Sequence, residues 1–171
     1  MRRSLLFILA FLPVIAIAQK EYKLVEQSSK EKPSWLSEGT HKGYFMVQAN
    51  RVATLDEAKK SATLSLLNDI ASSVSVVVVG ETIKDIKWEE IDLNGQTKEQ
   101  FIETIKTNTT TKISKIPALQ GISVDIKGDI YWERFINKKT KETCYDYYVL
   151  YPFSQFELEE LVEAYNRSEE H

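Results

Sequence analysis

The chain has 171 residues, and its 22 Lys and Arg side chains against 25 Asp and Glu give a formal net charge of −3. This length suits one domain with its own core, and the mild acidity excludes a general attraction to nucleic acid or to an anionic membrane surface. Because Cys144 is the single cysteine, an internal disulfide is excluded too.

The first eighteen residues have the order of a secretory signal peptide. A basic start at Arg2 and Arg3 precedes an apolar run of about thirteen residues, shorter than the roughly 20 that a membrane-spanning helix needs. Ala16-Ile17-Ala18 is a small-residue cleavage signal, so we expect cleavage between Ala18 and Gln19 and a mature chain without a transmembrane span. Without its two arginines the mature chain keeps 20 basic and 25 acidic side chains, a charge of −5. We expect an exported protein that is periplasmic, secreted or peripherally attached to the outer membrane.

The mature chain is predicted to open with a polar, flexible leader over residues 19–34, because this stretch holds few large apolar side chains. A single α+β domain then covers residues 35–167, and residues 168–171 form a tail. The first strand of the domain is predicted over residues 43–53, and Gly39 and Gly43 bracket the approach to it.

Three helix starts share the pattern S/T-x-x-E/Q, in which the hydroxyl and the acid or amide satisfy two orphan backbone donors reciprocally. The pattern begins at Thr54, Thr97 and Ser154, each time at the head of a segment with apolar side chains at helical spacing. The predicted helices cover residues 55–72, 98–112 and 155–167.

The remaining apolar segments predict strands. Residues 74–79 are rich in Val, which indicates a central strand covered on both faces, with Val76 and Val78 in the core. A second stretch follows over residues 82–88. Residues 122–132 alternate between apolar and polar side chains, and a polar turn at residues 137–142 leads to a returning strand over residues 144–151. The pattern favours a two-layer α+β sandwich on a mostly antiparallel sheet, with an N-terminal β-α-β unit, a second helix, a β-hairpin and a C-terminal helix.

Several of these segments together resemble the bacterial LPP-twenty-like lipoprotein family, whose fold is shared by the N-terminal domain of a flagellar assembly protein. The resemblance covers about residues 33–160 and implies an α+β envelope domain used in assembly or surface association, without a defined catalytic site. Gln19 stands where such a lipoprotein carries its acylated Cys. The resemblance rests on Pro33-Ser34-Trp35, on L-x-E-A-K-x-x-A at residues 55–62, on the Ser/Val segment at residues 70–76, on Leu119-Gln120-Gly121-Ile122, on Tyr131-Trp132 and on Tyr147-Tyr148-Val149-Leu150.

The sequence predicts no catalytic, metal or cofactor site. A zinc site would need both histidines, His41 and His171, with Cys144 or carboxylates. The densest acidic run, residues 85–92, is typical of an exposed rim. A carboxylate hydrolase centred on this run is a further alternative function. The sequence has neither G-x-S-x-G nor a phosphate-binding glycine loop.

The aromatic side chains of the last two strands predict the working surface. Tyr131 and Phe135 alternate away from the aliphatic face of their strand, and Tyr148 and Leu150 join them across the hairpin. Exposed, these four would bind a partner; the alternative left open is that a helix or the leader covers them. The leading function is an exported, non-enzymatic cell-envelope protein that associates with another envelope protein or with itself. The alternative is a periplasmic protein that binds a small ligand or glycan through a Tyr/Trp cluster.

Overall fold

The computed structural model describes residues 21–39 and 41–170. The predicted cleavage site at Ala18 and Gln19 lies outside these residues. Within them the chain forms four strands, five α-helices and a short 3-10 helix at Ser34–Leu36. The strands are β1 (Tyr22–Gln27), β2 (Tyr44–Val52), β3 (Asp129–Asn137) and β4 (Thr143–Pro152). The helices are α1 (Leu55–Lys84), α2 (Lys98–Ile113), α3 (Pro117–Gln120), α4 (Val124–Lys127) and α5 (Gln155–Glu169).

The strands form one antiparallel sheet in the order β1-β3-β4-β2. The predicted hairpin of β3 and β4 is confirmed, and the Asn137 side chain accepts hydrogen bonds from the backbone N–H groups of Lys139 and Thr140 in its turn. The two edge strands, β1 and β2, are consecutive along the chain, so residues 28–43 connect opposite edges of the sheet.

The helices cover one face of this sheet, which confirms the α+β class. Buried side chains of α1 pack on β2 and β4, and α2 and α5 pack against α1. The buried core therefore lies between the sheet and α1. It includes Val47, Ala49, Ala58, Ala62, Leu66, Ile70, Val74, Ile113, Tyr147, Val149, Leu161 and Tyr165.

The predicted strands over residues 74–79 and 82–88 are wrong, because α1 continues through both to Lys84. The predicted β-α-β unit is therefore absent from the described residues. Val78 is buried as expected, but Val76 is 56% exposed. Tertiary packing has overridden the local β-propensity of the Val residues. Ser75 faces α2 and donates a hydrogen bond to the Lys106 carbonyl oxygen at 3.1 Å.

Length and composition alone would allow α1 to cross a membrane, although its buried stripe faces the sheet, as in the core helix of a globular domain. The absence of a membrane span from the mature chain stays a prediction.

Two further boundaries differ from the predicted ones. Strand β3 begins only at Asp129, because residues 124–127 form the short helix α4, in which Val124 is buried and Ile126 is exposed. Part of the predicted leader is ordered as β1, whose backbone pairs with β3. The polar composition of this segment suits an edge strand whose side chains stay largely exposed.

The predicted helix starts are confirmed. Thr97 with Gln100 and Ser154 with Glu157 form complete capping boxes at α2 and α5. At α1, Thr54 accepts a hydrogen bond from the Glu57 backbone N–H.

Candidate functional site

The face of the sheet opposite the helices carries an unusual set of side chains and is the candidate functional site. We name it the helix-free face. Strand alternation places on it Tyr131, Glu133 and Phe135 of β3, Cys144, Asp146, Tyr148 and Leu150 of β4, and Tyr44, Met46 and Gln48 of β2.

All four predicted partner-binding residues lie on this face. Tyr131 is 0% exposed and Leu150 is buried, so the expectation of exposure is wrong for these two. Phe135 and Tyr148 are partly exposed. The rings of Tyr131 and Tyr148 stack with their centroids 6.1 Å apart. A role of the four residues in partner binding stays a prediction.

The connection between β1 and β2 runs over part of the helix-free face. The Ser28 backbone N–H donates to the Trp132 carbonyl oxygen, which continues the pairing along β3. Four residues later, the Lys32 ammonium lies 2.8 Å from the Glu133 carboxylate on the helix-free face. The connection thus lies over the sheet beside Tyr131. Residues 28–34 of the connection belong to the predicted leader, and coverage of this surface by the leader was one of the alternatives that the sequence left open.

Two carboxylates occupy neighbouring positions on the helix-free face. Glu133 and Asp146 are cross-strand partners, and they are 3% and 7% exposed. Like charges opposite each other destabilise a sheet unless each finds a cation. Lys32 pairs with Glu133, and Arg51 lies beside Asp146.

The Tyr131 hydroxyl hydrogen-bonds one of these two carboxylates. It donates a hydrogen bond to Glu133 Oε1 at 3.1 Å, with Gln27 Oε1 3.3 Å away. Burial and then this carboxylate raise the pKa of Tyr131 to about 12. Burial and then the Asp146 carboxylate raise the pKa of Tyr148. Both phenols are therefore held neutral.

Arg51 has the most constrained backbone of the site. It sits in a bulge of β2, where two residues oppose Asp146 alone, and its φ is +56°. Left-handed backbone is costly for a residue with a side chain and is stored where the surroundings enforce it. Asp146 enforces it here, since its Oδ1 accepts a hydrogen bond from the Arg51 backbone N–H at 2.8 Å.

The Arg51 side chain then extends across the sheet. Its Cζ lies 4.0 Å from the Phe135 ring centroid and 4.5 Å from that of Tyr22. Cation–π attraction to both rings orients the guanidinium. Nη1 lies 3.9 Å from Cys144 Sγ, and the side chain as a whole is 38% exposed.

A cavity of about 600 Å³ opens beside this guanidinium. Its volume falls within the range of small-ligand sites. The lining residues are Tyr22, Arg51, Ala53, Asn137, Lys141, Glu142, Thr143 and Cys144.

The other candidate sites from the sequence do not assemble. Asp85, Glu89, Glu90 and Asp92 are all exposed, and Asp92 accepts a hydrogen bond from the Asn94 backbone N–H, as in an ordinary turn. His41 lies 3.3 Å from the Trp35 carbonyl oxygen, whereas His171 is outside the described residues. Across residues 21–39 and 41–170, no group of three His, Cys, Asp or Glu side chains is placed to hold a metal ion.

Sequence reasoning missed Arg51, Glu133 and Asp146. The two carboxylates did leave a signal, because each interrupts the otherwise apolar face of its strand, and a buried acid in such a place needs a partner. Arg51 left none, since nothing in its neighbours predicts a bulge.

Comparison with protein-family models, with curated proteins and with solved structures finds no match to this chain.

Proposed function

We propose that this protein is an exported, non-enzymatic component of the bacterial cell envelope that binds another envelope protein through the helix-free face. The N-terminal sequence supports export, and the resemblance to LPP-twenty-like lipoproteins supports a role in envelope assembly or at the surface. One structural observation carries the choice of surface, and it concerns strand β2.

Tyr44 and Met46 point outward from the helix-free face, and each is 46% exposed. Gln48 continues this row and pairs in register with the partly exposed Tyr148. We name these four residues the β2 patch. Tyrosine and methionine are enriched at the centres of protein interfaces, where tyrosine provides a large rigid ring and methionine a flexible side chain that adapts to the partner surface. The β2 patch retains Tyr148 of the predicted surface. It leaves out Tyr131 and Leu150, because both are buried.

Site-specific crosslinking in living cells tests this proposal. A photoreactive residue at Gln48, which is exposed within the β2 patch, should give a discrete adduct with another envelope protein. The same residue at Leu64, 62% exposed on α1, is the matched control and should not. Tyr44→Glu with Met46→Glu should abolish the adduct and leave the circular dichroism spectrum unchanged, because neither side chain is buried.

Equal adducts at both positions, or an adduct that survives the double substitution, would show that the β2 patch is not the interface. An adduct between two copies of this chain would replace the envelope partner with self-association. Export is measured separately from the mass of the mature protein, which should begin at Gln19.

The small-ligand alternative is favoured by a different observation, the cavity beside Arg51, rather than by a Tyr/Trp cluster.

A further inference from the structure

We propose that the cavity beside Arg51 binds a small monocarboxylate with an apolar body, whose carboxylate pairs with the Arg51 guanidinium. The β2 patch and this cavity share no residue, so the inference stands apart from the proposed association.

The guanidinium is held in place before any ligand arrives. Asp146 clamps the left-handed backbone of Arg51, and the rings of Phe135 and Tyr22 orient the side chain. A donor that is already oriented loses little rotamer freedom on binding, which strengthens the complex. A residue kept in a costly backbone conformation is also a mark of functional sites.

The N–H groups of this guanidinium remain available. Within residues 21–39 and 41–170, the guanidinium forms no hydrogen bond to an oxygen, and its sulfur partner, Cys144 Sγ at 3.9 Å, is a weak acceptor. The Asp146 Oδ1 is 3.7 Å from Nε and already accepts the Arg51 backbone N–H. A planar guanidinium with free N–H groups matches a carboxylate in two parallel hydrogen bonds.

The surrounding charges favour one negative charge over two. The positive groups at the cavity are Arg51 and Lys141, and the negative groups are Glu142 of the lining and Asp146 beside it. These charges cancel formally, so a phosphate dianion finds no surplus of cations, whereas a monocarboxylate shares the Arg51 guanidinium with Asp146 and uses the N–H groups that Asp146 leaves free.

The walls of the cavity define the rest of the ligand. The Tyr22 ring and the Ala53 methyl group line it beside the guanidinium, while Asn137 and Thr143 offer hydrogen bonds. Apolar wall area next to a charged anchor suits a carboxylate attached to an aromatic or aliphatic body. Benzoate is the simplest probe of this class.

The test is a titration of the protein expressed from its full sequence, followed by nuclear magnetic resonance of the backbone amides. Benzoate should cause saturable shifts at Thr143 and Cys144. Acetate, which lacks the apolar body, and inorganic phosphate should both bind more weakly. Bound benzoate should also slow alkylation of Cys144, the only thiol, which lines the cavity.

Three variants separate ligand binding from folding. Arg51→Gly accepts the positive φ and keeps the backbone hydrogen bond to Asp146, but it removes the cation beside Asp146 and should therefore fold with lower stability. The folded variant should bind benzoate about tenfold or more weaker, as expected for loss of a charged hydrogen-bonding partner. Arg51→Lys keeps the charge without the planar fork, so its affinity for benzoate should lie between those of the wild type and Arg51→Gly. Arg134→Gln is the matched control, because Arg134 is 37% exposed on the opposite face of the sheet and pairs with Glu26; it should not change the affinity.

Absence of saturable shifts would overturn the proposal, and so would phosphate binding tighter than benzoate. Unchanged benzoate affinity in Arg51→Gly would overturn it as well. If that variant does not fold, Arg51→Lys decides, since an affinity equal to that of the wild type would contradict the paired geometry.

Discussion

The phase of α1 at its Val-rich end can be tested with two substitutions of identical chemistry. In a strand, Val74 and Val76 point to the same face, so Val74→Ala and Val76→Ala would destabilise the protein equally. In the helix they point apart, and Val74 is 0% exposed whereas Val76 is 56% exposed. The two substitutions should therefore differ sharply in their effect on the free energy of unfolding.

The magnitudes follow from burial. Val74→Ala removes two buried carbon atoms, a transfer loss of about 1.6 kcal/mol. The cavity left behind adds to this loss, and the higher helix propensity of Ala offsets about 0.5 kcal/mol, so the net destabilisation is about 1–2 kcal/mol. Less than half of the Val76 side chain is buried, so Val76→Ala loses about 0.7 kcal/mol of transfer free energy at most. The same gain in helix propensity offsets most of this loss, so the free energy of unfolding should stay within about 0.5 kcal/mol of the wild type.

Urea unfolding, followed by tryptophan fluorescence and by circular dichroism, measures both variants. The slope of the free energy against urea concentration should not change, because neither substitution alters the surface exposed on unfolding appreciably. Equal losses at the two positions, or a larger loss at Val76, would refute the helical phase.

Two other predictions concern close packing and pH. Gly128→Ala should destabilise the protein by about 1–3 kcal/mol through overpacking, since the added Cβ would lie 2.7 Å from Val149 Cγ1 and 2.5 Å from a carbonyl oxygen of α4. Gly121→Ala is the control, because a Cβ added there meets no atom within 4 Å. In thermal unfolding this control should not change the melting temperature. Burial and Glu133 raise the pKa of Tyr131 from 10.0 to about 12 in the folded protein, so the unfolded chain loses this proton first and stability should fall as pH rises from about 10 to about 12. Tyr131→Phe should lessen that fall, and a stability difference from the wild type that stays constant over this range would contradict the assignment.

The helical spacing of apolar side chains in the sequence continues beyond residue 72, where the predicted helix ended. Apolar or small side chains recur every four residues from Ala58 through Val78, and all six members of this stripe are buried. The prediction ended the helix at residue 72 because the β-branched run that follows has high strand propensity. Packing of the continued stripe on the sheet outweighs that propensity, which spans only about 1 kcal/mol.

Other features followed correctly from local patterns or could not follow from them at all. Alternation along the two hairpin strands correctly placed Tyr148 and Leu150 on the same face as Tyr131 and Phe135, because a two-residue period fixes the face of each side chain in a strand. The burial of Tyr131 was beyond reach, since it depends on β1 and β2 lying at opposite edges, which only non-local pairing decides. The same is true of Arg51, whose role arises from a bulge opposite a residue 95 positions away in sequence.

The pairing of β1 with β3 has a consequence for biosynthesis. Tyr22 pairs with Asn137, and Gln27 pairs with Glu133, so more than one hundred residues must be synthesised between the two strands. At translation rates of about 5–20 residues per second, β1 is synthesised about 5–20 s before its partner strand, and the proposed export lengthens the time before the two can pair. During that interval a neighbouring nascent chain could recruit the bare strand. The irregular register at Leu24 and the charges of Lys23 and Glu26 make β1 a poor template for such wrong partners. The first strand to be synthesised is thus the one whose sequence must resist wrong pairing for longest.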